Sequence, residues 1–291
     1  MNILITAANS GFGALIVSDL IKAGHTVAGS VRDADGRNAE AAEALRQMGA
    51  RVVEIDVTNE ASVLSGAAAA EAALGQIDVL INNAGVGAHG IQENFNTDDF
   101  QRLFDINVFG VQRMIRAVAP AMRARGSGLI LNISSLLGRI ALPFYGPYNA
   151  SKWALEAMSE NYRIELSGFG VDVAIIEPGG FPTAFMGNLI HPASPDRNEG
   201  YGPMADAPVM ALQGFDDFLK ANPQQNPQLV SDAVLSVVGT PAGSRPLRTT
   251  VDTVGMGALV DPMNDQLSDA TQALFANMGI DGMLTLNTSA H

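Results

Sequence analysis

Short apolar runs recur along the chain, each followed by a turn and then by a longer stretch with helical spacing. The runs at residues 2–6, 26–31, 52–55, 79–81, 129–131 and 173–176 are only a few residues long and read as buried strands. Between them, residues 14–23, 39–49, 59–74, 97–126 and 148–167 read as helices, with Gly24 and Gly126 as stops. Thr58 or Asn59 is expected to cap the third helix, and Thr97 or Asp98 the fourth. Strand and helix alternate throughout, which is the βα pattern of an α/β protein. The prediction is a doubly wound parallel sheet of about seven strands with helices on both faces. The seventh strand, residues 248–254, is expected at an edge.

Residues 184–226 break the pattern. Pro, Gly, Asn and Asp are frequent there, and only 208–219 has helical spacing. The segment reads as a flap over a substrate, with Phe181, Phe185, Met186, Leu189 and Met204 as its apolar inner face. The alternative is a surface excursion packed on the sheet. Pro227 introduces a further helix over 229–238, and 264–278 reads as a C-terminal helix. With no repeat, low-complexity tract or linker, residues 1–291 are expected to form one domain, with 255–291 as its C-terminal helix and tail.

Composition narrows the function classes. The chain has 291 residues, with 30 acidic against 17 basic side chains and a net charge of −13. No Lys/Arg cluster exists to hold nucleic acid or an anionic membrane. There is no cysteine, and His25, His89, His191 and His291 lack metal-ligand spacing. No apolar run is long enough to span a bilayer, and the N-terminus lacks the pattern of a signal peptide. The expectation is a soluble, cytoplasmic protein with a small-molecule partner.

Residues that can do chemistry sit after the predicted strand ends, where open α/β sheets bind ligands. After the first strand come Asn9, Ser10, Gly11, Phe12 and Gly13, a glycine turn that lets a pyrophosphate approach a helix N-terminus. Gly11 and Gly13 are the points of closest approach. The second strand ends in Val31-Arg32 rather than an acidic residue, so Arg32 and Ser10 favour the 2′-phosphate of NADP over the bare ribose of NAD. The other reading of Arg32 is a solvated loop residue, partly neutralised by Asp33. Asp56 and Val57 follow the third strand; the Asp56 carboxylate suits an adenine amino group, or hydrogen bonds from the next turn. Asn83, Ala84 and Gly85 follow the fourth. Asn107, inside a predicted helix, points either to solvent or into a site. Ser135 follows the fifth strand, and Pro178, Gly179, Phe181 and Thr183 the sixth.

Tyr148 and Lys152 are one helical turn apart on one face. An ammonium beside a phenol stabilises the phenolate and lowers its pKa from about 10. A phenol tuned in that way exchanges a proton with an alcohol or carbonyl oxygen, and the Ser135 hydroxyl can hydrogen-bond the same oxygen.

Over roughly residues 1–255 these motifs resemble the short-chain dehydrogenase/reductase family. The residues that carry the likeness are the turn at 6–13, Asp56-Val57, Asn82-Asn83-Ala84-Gly85, Asn107, Ser135, Tyr148 with Lys152, and Pro178-Gly179 with Thr183. The resemblance implies a Rossmann-type fold and a nicotinamide cofactor. It makes Tyr148 the acid/base, and Lys152 the group that tunes it and binds the nicotinamide ribose. Ser135 would position the reacting oxygen, and Asn107 would hold the water linking Lys152 to solvent. Thr183 and the Pro178-Gly179 turn would seat the carboxamide. Val31-Arg32 and Ser10 look like NADP-preferring members, including steroid- and retinol-type carbonyl reductases; Ser134 is expected to be structural. Family members commonly pair through the helices at 107–125 and 151–167, so a homodimer or homotetramer is expected. One departure stands out: Ala7 occupies a position where the family usually has glycine, tolerable at negative φ and costly at positive φ.

The leading expectation is NADP-dependent interconversion of a fairly apolar ketone or aldehyde with its alcohol. An NAD-dependent enzyme, a non-catalytic cofactor sensor or scaffold, and an epimerase using the same residues are the alternatives.

Overall fold

A computed structural model describes residues 1–288. The tail expected over 255–291 falls partly outside them, and His291 lies outside them. Seven strands form one parallel sheet in the order β3-β2-β1-β4-β5-β6-β7. They are β1 (Asn2–Ile5), β2 (Thr26–Val31), β3 (Arg51–Glu54), β4 (Val79–Asn82), β5 (Gly128–Ile133), β6 (Val171–Pro178) and β7 (Arg248–Val251). The strand order reverses between β1 and β4, which opens a crevice beyond their carboxyl ends. β7 lies at an edge, as expected, but is shorter than predicted because Asp252 turns back to accept from the Gly257 amide at 3.0 Å.

Alternation along β1 explains how both faces of the sheet are covered. Ile3 and Ile5 face one way, into a core with Leu20 of α1 (Gly11–Lys22), Leu45 of α2 (Ala39–Gln47) and Val234 of α8 (Gln228–Gly239). Leu4 faces the other way, against Val63 of α3 (Glu60–Leu74), Met114 of α5 (Gly110–Arg125) and Leu155 of α6 (Gly146–Ser167). All eight residues of β6 are buried, consistent with a strand covered on both sides.

Local chemistry sets the helix ends. Asn59 caps α3 by accepting from the Ser62 amide, one of the two expected caps. The cap of α4 (Thr97–Phe104) is neither Thr97 nor Asp98. Asn96 takes that place because it and Asp99 complete a reciprocal capping box. The long helix expected across 97–126 is divided by a wide π turn, Asp105–Phe109, between α4 and α5. That turn swings Asn107 inward, where it is buried. The C-terminal helix α9 (Gly257–Met278) starts seven residues earlier than predicted, and Pro262 lies inside it. Residues 184–206 form short 3₁₀ turns leading into α7 (Ala207–Ala221). The Ala88–Ile190 bridge lays the start of this segment beside the loop after β4.

Ala7 adopts φ +51°, the left-handed region that disfavours a side chain. The Asn83 amide nitrogen holds the turn there by donating to the Thr6 and Ala7 carbonyls at 3.0 and 3.1 Å. Ala7→Gly should remove about 1–2 kcal/mol of strain. The looser unfolded chain should return about 0.4–1 kcal/mol of that. Urea unfolding is therefore expected to show a small net gain in stability; a clear loss would mean that Ala7 is not strained.

Candidate active site

The crevice between β1 and β4 is built from backbone as much as from side chains. The Thr6 hydroxyl, at the end of β1, accepts from the backbone amides of both Asn83 and Ala84 at 2.9 Å. Together with the Asn83 side chain, this joins the two strand ends across the reversal. Ser10 is the N-cap of α1, yet its hydroxyl makes no capping bond and is exposed. The first turn of α1 has no acidic residue, so its amides are open to an anion. Gly11 has φ +53°, and a Cβ on it would stand 3.8 Å from Thr183 across the crevice. A Cβ on Gly13 would sit 2.2 Å from the Ala7 carbonyl oxygen, so that position admits only glycine. Gly85 leaves bare backbone in front of Asn107 and Lys152, where a Cβ would lie 3.4 Å from the amide oxygen and 3.8 Å from the ammonium. These features fit a dinucleotide laid along the strand ends.

The ends of β2 and β3 carry the expected side chains. Arg32 projects into solvent, 53% exposed, and its charge partner is Asp56 at 3.9 Å. Asp33, expected to neutralise it, instead faces Arg37 at 3.7 Å. Asp56 accepts from the amide and hydroxyl of Thr58 at 3.0 and 2.7 Å, and these bonds with Arg32 hold its carboxyl below the ordinary value despite burial. Val57 packs against Gly110 at the start of α5 and lends its carbonyl to Arg113. Asn9 reaches Asn38 at 3.4 Å, on the far side of the turn from the sheet reversal.

Tyr148, Lys152, Ser135 and Asn107 converge at the ends of β4 and β5. Tyr148 and Lys152 lie in the first turns of α6 and are both buried. The Lys152 ammonium donates to the Ile133 carbonyl at 2.8 Å and lies 5.7 Å from the Tyr148 ring centre. Asn107 spends its amide on both backbone groups of Val86 at 2.9 Å and on Ser151 at 3.0 Å. It pins the loop after β4 to α6, and it does not point to solvent. The Ser135 hydroxyl accepts from the Leu137 amide at 3.1 Å and donates to the Pro178 carbonyl at 3.4 Å. That links β5 to the turn after β6, where the Gly179 amide bonds Val251 and Thr183 caps the next 3₁₀ turn.

One expectation is reversed. Burial pushes the Tyr148 phenol up to about 12, although the adjacent Ser135 hydroxyl pulls the other way. Burial also lowers the Lys152 ammonium to about 8, while Glu156 acts to raise it. In this structure desolvation outweighs the attraction of the ammonium. The sequence argument counted the charge and not the removal of water.

A cavity of about 310 Å³ opens beside Ser135 and Tyr148. Phe12, Phe181 and Thr183 close the end toward the glycine turn, and Phe12 meets Phe181 edge to face at 5.7 Å. Phe185 packs edge-on against Tyr148 at 5.6 Å, and Met186 lines the wall. Met204, expected on the inner face, is 55% exposed, because the turn at Gly202 carries it outward. Leu189 is buried under the Gly87 loop instead. The sequence reading missed Leu142, Phe144, Tyr145, Phe215 and Met256, which complete the wall. Phe144 and Tyr145 were legible as an aromatic pair between Ser135 and Tyr148; Phe215 and Met256 gave no such signal.

Residues 1–193 match the short chain dehydrogenase family. The uncharacterized oxidoreductase YusZ of Bacillus subtilis is 38% identical over 189 residues, covering 62% of this chain and 65% of that protein. Human retinol dehydrogenase 8 is 34% identical over 251 residues, covering 82% of this chain and 78% of that one. Among solved structures, a short chain dehydrogenase/reductase from Burkholderia phymatum in complex with NAD superposes with a TM-score of 0.74 at 26% identity, covering 92% of this chain and 94% of that one. Actinorhodin polyketide ketoreductase with NADPH gives 0.71 at 26% identity, covering 88% and 97%.

The burial of Lys152 has a consequence for stability. The unfolded chain keeps the ordinary lysine value of 10.5, while the folded one loses its proton near 8. Between those values the unfolded state binds more protons, so unfolding free energy rises with pH. Below pH 8 both states are protonated and the cost of burial is present in full. Lys152→Met should remove this slope, and the gap between the two proteins should change by at most about 3 kcal/mol from pH 8 to 10.5. Parallel stability curves across that window would contradict the burial argument.

Proposed function

The chain belongs to the short chain dehydrogenase family and is an oxidoreductase of alcohol and carbonyl substrates, and from that premise we propose an NADP(H)-dependent carbonyl reductase with Tyr148 as its acid/base. The observation that carries the reading is the convergence of Tyr148, Lys152 and Ser135 at the rim of a cavity continuous with the glycine turn. Gly11, Gly13 and the first turn of α1 would hold the pyrophosphate of a nicotinamide dinucleotide, with Asn9 and Asp56-Val57 toward its adenosine end, and the cofactor would supply the hydride for the carbonyl carbon. Asn83, Ala84 and Gly85 form the floor, and Pro178, Gly179, Phe181 and Thr183 the opposite wall.

Ser135 donates to the substrate oxygen and fixes its place beside the phenol. Tyr148 then gives its proton to that oxygen as the alcohol forms. Lys152, one turn along, offsets the charge left on the phenolate. Asn107 keeps the Val86 loop and α6 at a fixed separation beside the ammonium. The preference for NADP rests on Arg32, whose half-exposed guanidinium follows β2 where NAD-binding sheets carry an acidic residue; its ion pair with Asp56 is a long 3.9 Å contact. The human relative is named for retinol, an alcohol with a long apolar skeleton. An apolar ketone, aldehyde or alcohol fits the aromatic and aliphatic walls here, and we assign residues 184–226 as the flap that completes them.

Phe109 just before α5, Trp153 on α6 and Phe169 just after it are each nearly half exposed, which supports assembly as a homodimer or homotetramer. Among the described residues no helix is long and apolar enough to cross a membrane.

Tyr148→Phe should lower turnover at least about a hundredfold while NADPH still binds; near-normal turnover would defeat the mechanism. Arg32→Ala should weaken NADPH binding about tenfold or more and leave NADH binding unchanged. An equal loss for both cofactors, measured by fluorescence titration, would remove the case for NADP.

A further inference from the structure

Behind the site lies a buried ionic cluster that the proposed reaction does not use. Arg248 of β7 donates to Glu156 of α6 at 2.9 Å and stands 3.3 Å from Glu177 of β6. Its other arm bonds Glu160, one turn further along α6. Arg139, 9% exposed, faces Glu177 at 4.0 Å. Asn264 of α9 and Thr250 of β7 complete the shell by donating to Glu177 at 2.7 and 3.3 Å. Glu156 and Glu177 are 2% and 0% exposed. Buried carboxylates of this kind are costly unless their charge is balanced.

The balance points to Lys152. Three carboxylates, Glu156, Glu160 and Glu177, face two guanidiniums, Arg139 and Arg248. With all three ionised the set carries one excess negative charge, which the Lys152 ammonium answers. Burial and the Glu156 charge push Glu177 up to about 7, so near neutrality a proton on Glu177 answers that excess as well. Burial raises Glu156, and Arg248 acts against that rise. Lys152 and Glu156 are one helical turn apart on α6, both buried. They also sit against adjacent residues of the same strand end: Lys152 bonds the Ile133 carbonyl, and a Cβ on Gly138 would lie 3.0 and 3.1 Å from the Glu156 side chain and the Ser134 hydroxyl. The only other titratable groups at the ammonium are the phenols of Tyr148 and Tyr145, which are neutral.

We infer that Glu156 is a positioning residue of the reaction: bonded to Arg248, it is the buried counter-charge that keeps Lys152 protonated at neutral pH. Glu156 touches neither the cavity nor the crevice and acts only through Lys152. The inference rests on the assignment of Lys152 to the reaction, and its test reads the charge of Lys152 without using activity. Burial alone drives the ammonium toward its neutral form, and the Glu156 carboxylate opposes this. Loss of that negative charge should let Lys152 give up its proton at lower pH. The phenolate would then lose its partner closer to neutrality.

The chain contains three lysines, Lys22, Lys152 and Lys220, so ¹³C-lysine NMR of the intact protein resolves Lys152 once compared with Lys152→Met. The titration midpoint of Lys152 should fall by about one pH unit or more in Glu156→Gln. The basic limb of kcat/KM should move acidward with it. Glu156→Asp, which keeps the charge, should restore most of the shift even if turnover stays low. An unchanged Lys152 midpoint in Glu156→Gln would overturn the inference and leave Glu156 a packing residue. If the Gln variant does not fold, the wild type decides: a Lys152 already neutral between pH 6 and 7 would overturn it, and a charged one supports it. Tyr148→Phe losing no turnover would overturn the mechanism and not this electrostatic pairing.

Discussion

The structure depends on a lysine charge kept out of water. Lys152 is 5% exposed, and its ammonium has a single backbone carbonyl, that of Ile133, within bonding distance. Transfer of an unpaired ammonium into such a place costs several kcal/mol, and proteins tolerate it only where other charges or dipoles answer it. The answering groups come from four directions: the end of β5, the next turn of α6, the last residues of β6 and the edge strand β7. Each is placed by the sheet order. A change in any strand's register would leave the ammonium or its carboxylates unmatched, so the ionic cluster and the topology specify one another.

The same logic governs the crevice on the other side of Lys152. Parallel strands leave their terminal backbone groups free at the point where the order reverses. Thr6 and Asn83 use their side chains to satisfy those groups across the gap, with four bonds between residues 6–7 and 83–84. That lattice holds Ala7 in a backbone region its side chain disfavours. Strain at such a position persists only when its surroundings over-determine it. The cofactor turn is therefore rigid because Asn83 and Thr6 are rigid, and the glycines at 11 and 13 supply clearance more than flexibility.

Much of this was legible in the sequence, for reasons that separate local from non-local effects. The seven strands, the sheet class and the clustering of Ser135, Tyr148 and Lys152 follow from short-range pattern and from spacing along one helix. Local chemistry misled in smaller ways. Asn96 was overlooked as a cap because Thr97 and Asp98 beside it are equally good formers of that position. The π turn at Asn107 goes with side-chain bonds to Val86 and Ser151, contacts distant in sequence that no hydrophobic period reports. Arg32 pairs with Asp56, from the neighbouring strand end, and no spacing rule reports a contact made through the sheet. The Tyr148 phenol was placed on the wrong side of its ordinary value for the same reason. Its neighbour at one turn is visible in sequence; Phe181, Phe185 and Met186 are visible as apolar residues, but not that Phe185 packs on the phenol, and Leu142, Phe215 and Met256 give no signal.

Those walls link selectivity to acidity. Phe185 covers one edge of the Tyr148 ring, and Tyr145, itself pushed up by burial, stands nearby. An apolar lining excludes water from the phenol and raises it, and the same lining favours apolar substrates over hydrated ones. A raised phenol keeps its proton at neutral pH and is a weaker acid, so in the proposed reduction the donor is fully loaded but releases its proton only as negative charge builds on the substrate oxygen. In the reverse direction the phenolate would have to form in a dry cavity, and only the ammonium of Lys152 could offset its cost. The residues that shape the substrate's apolar skeleton and the charges behind α6 therefore act on one quantity, the free energy of the Tyr148 phenolate, from opposite sides of the same ring.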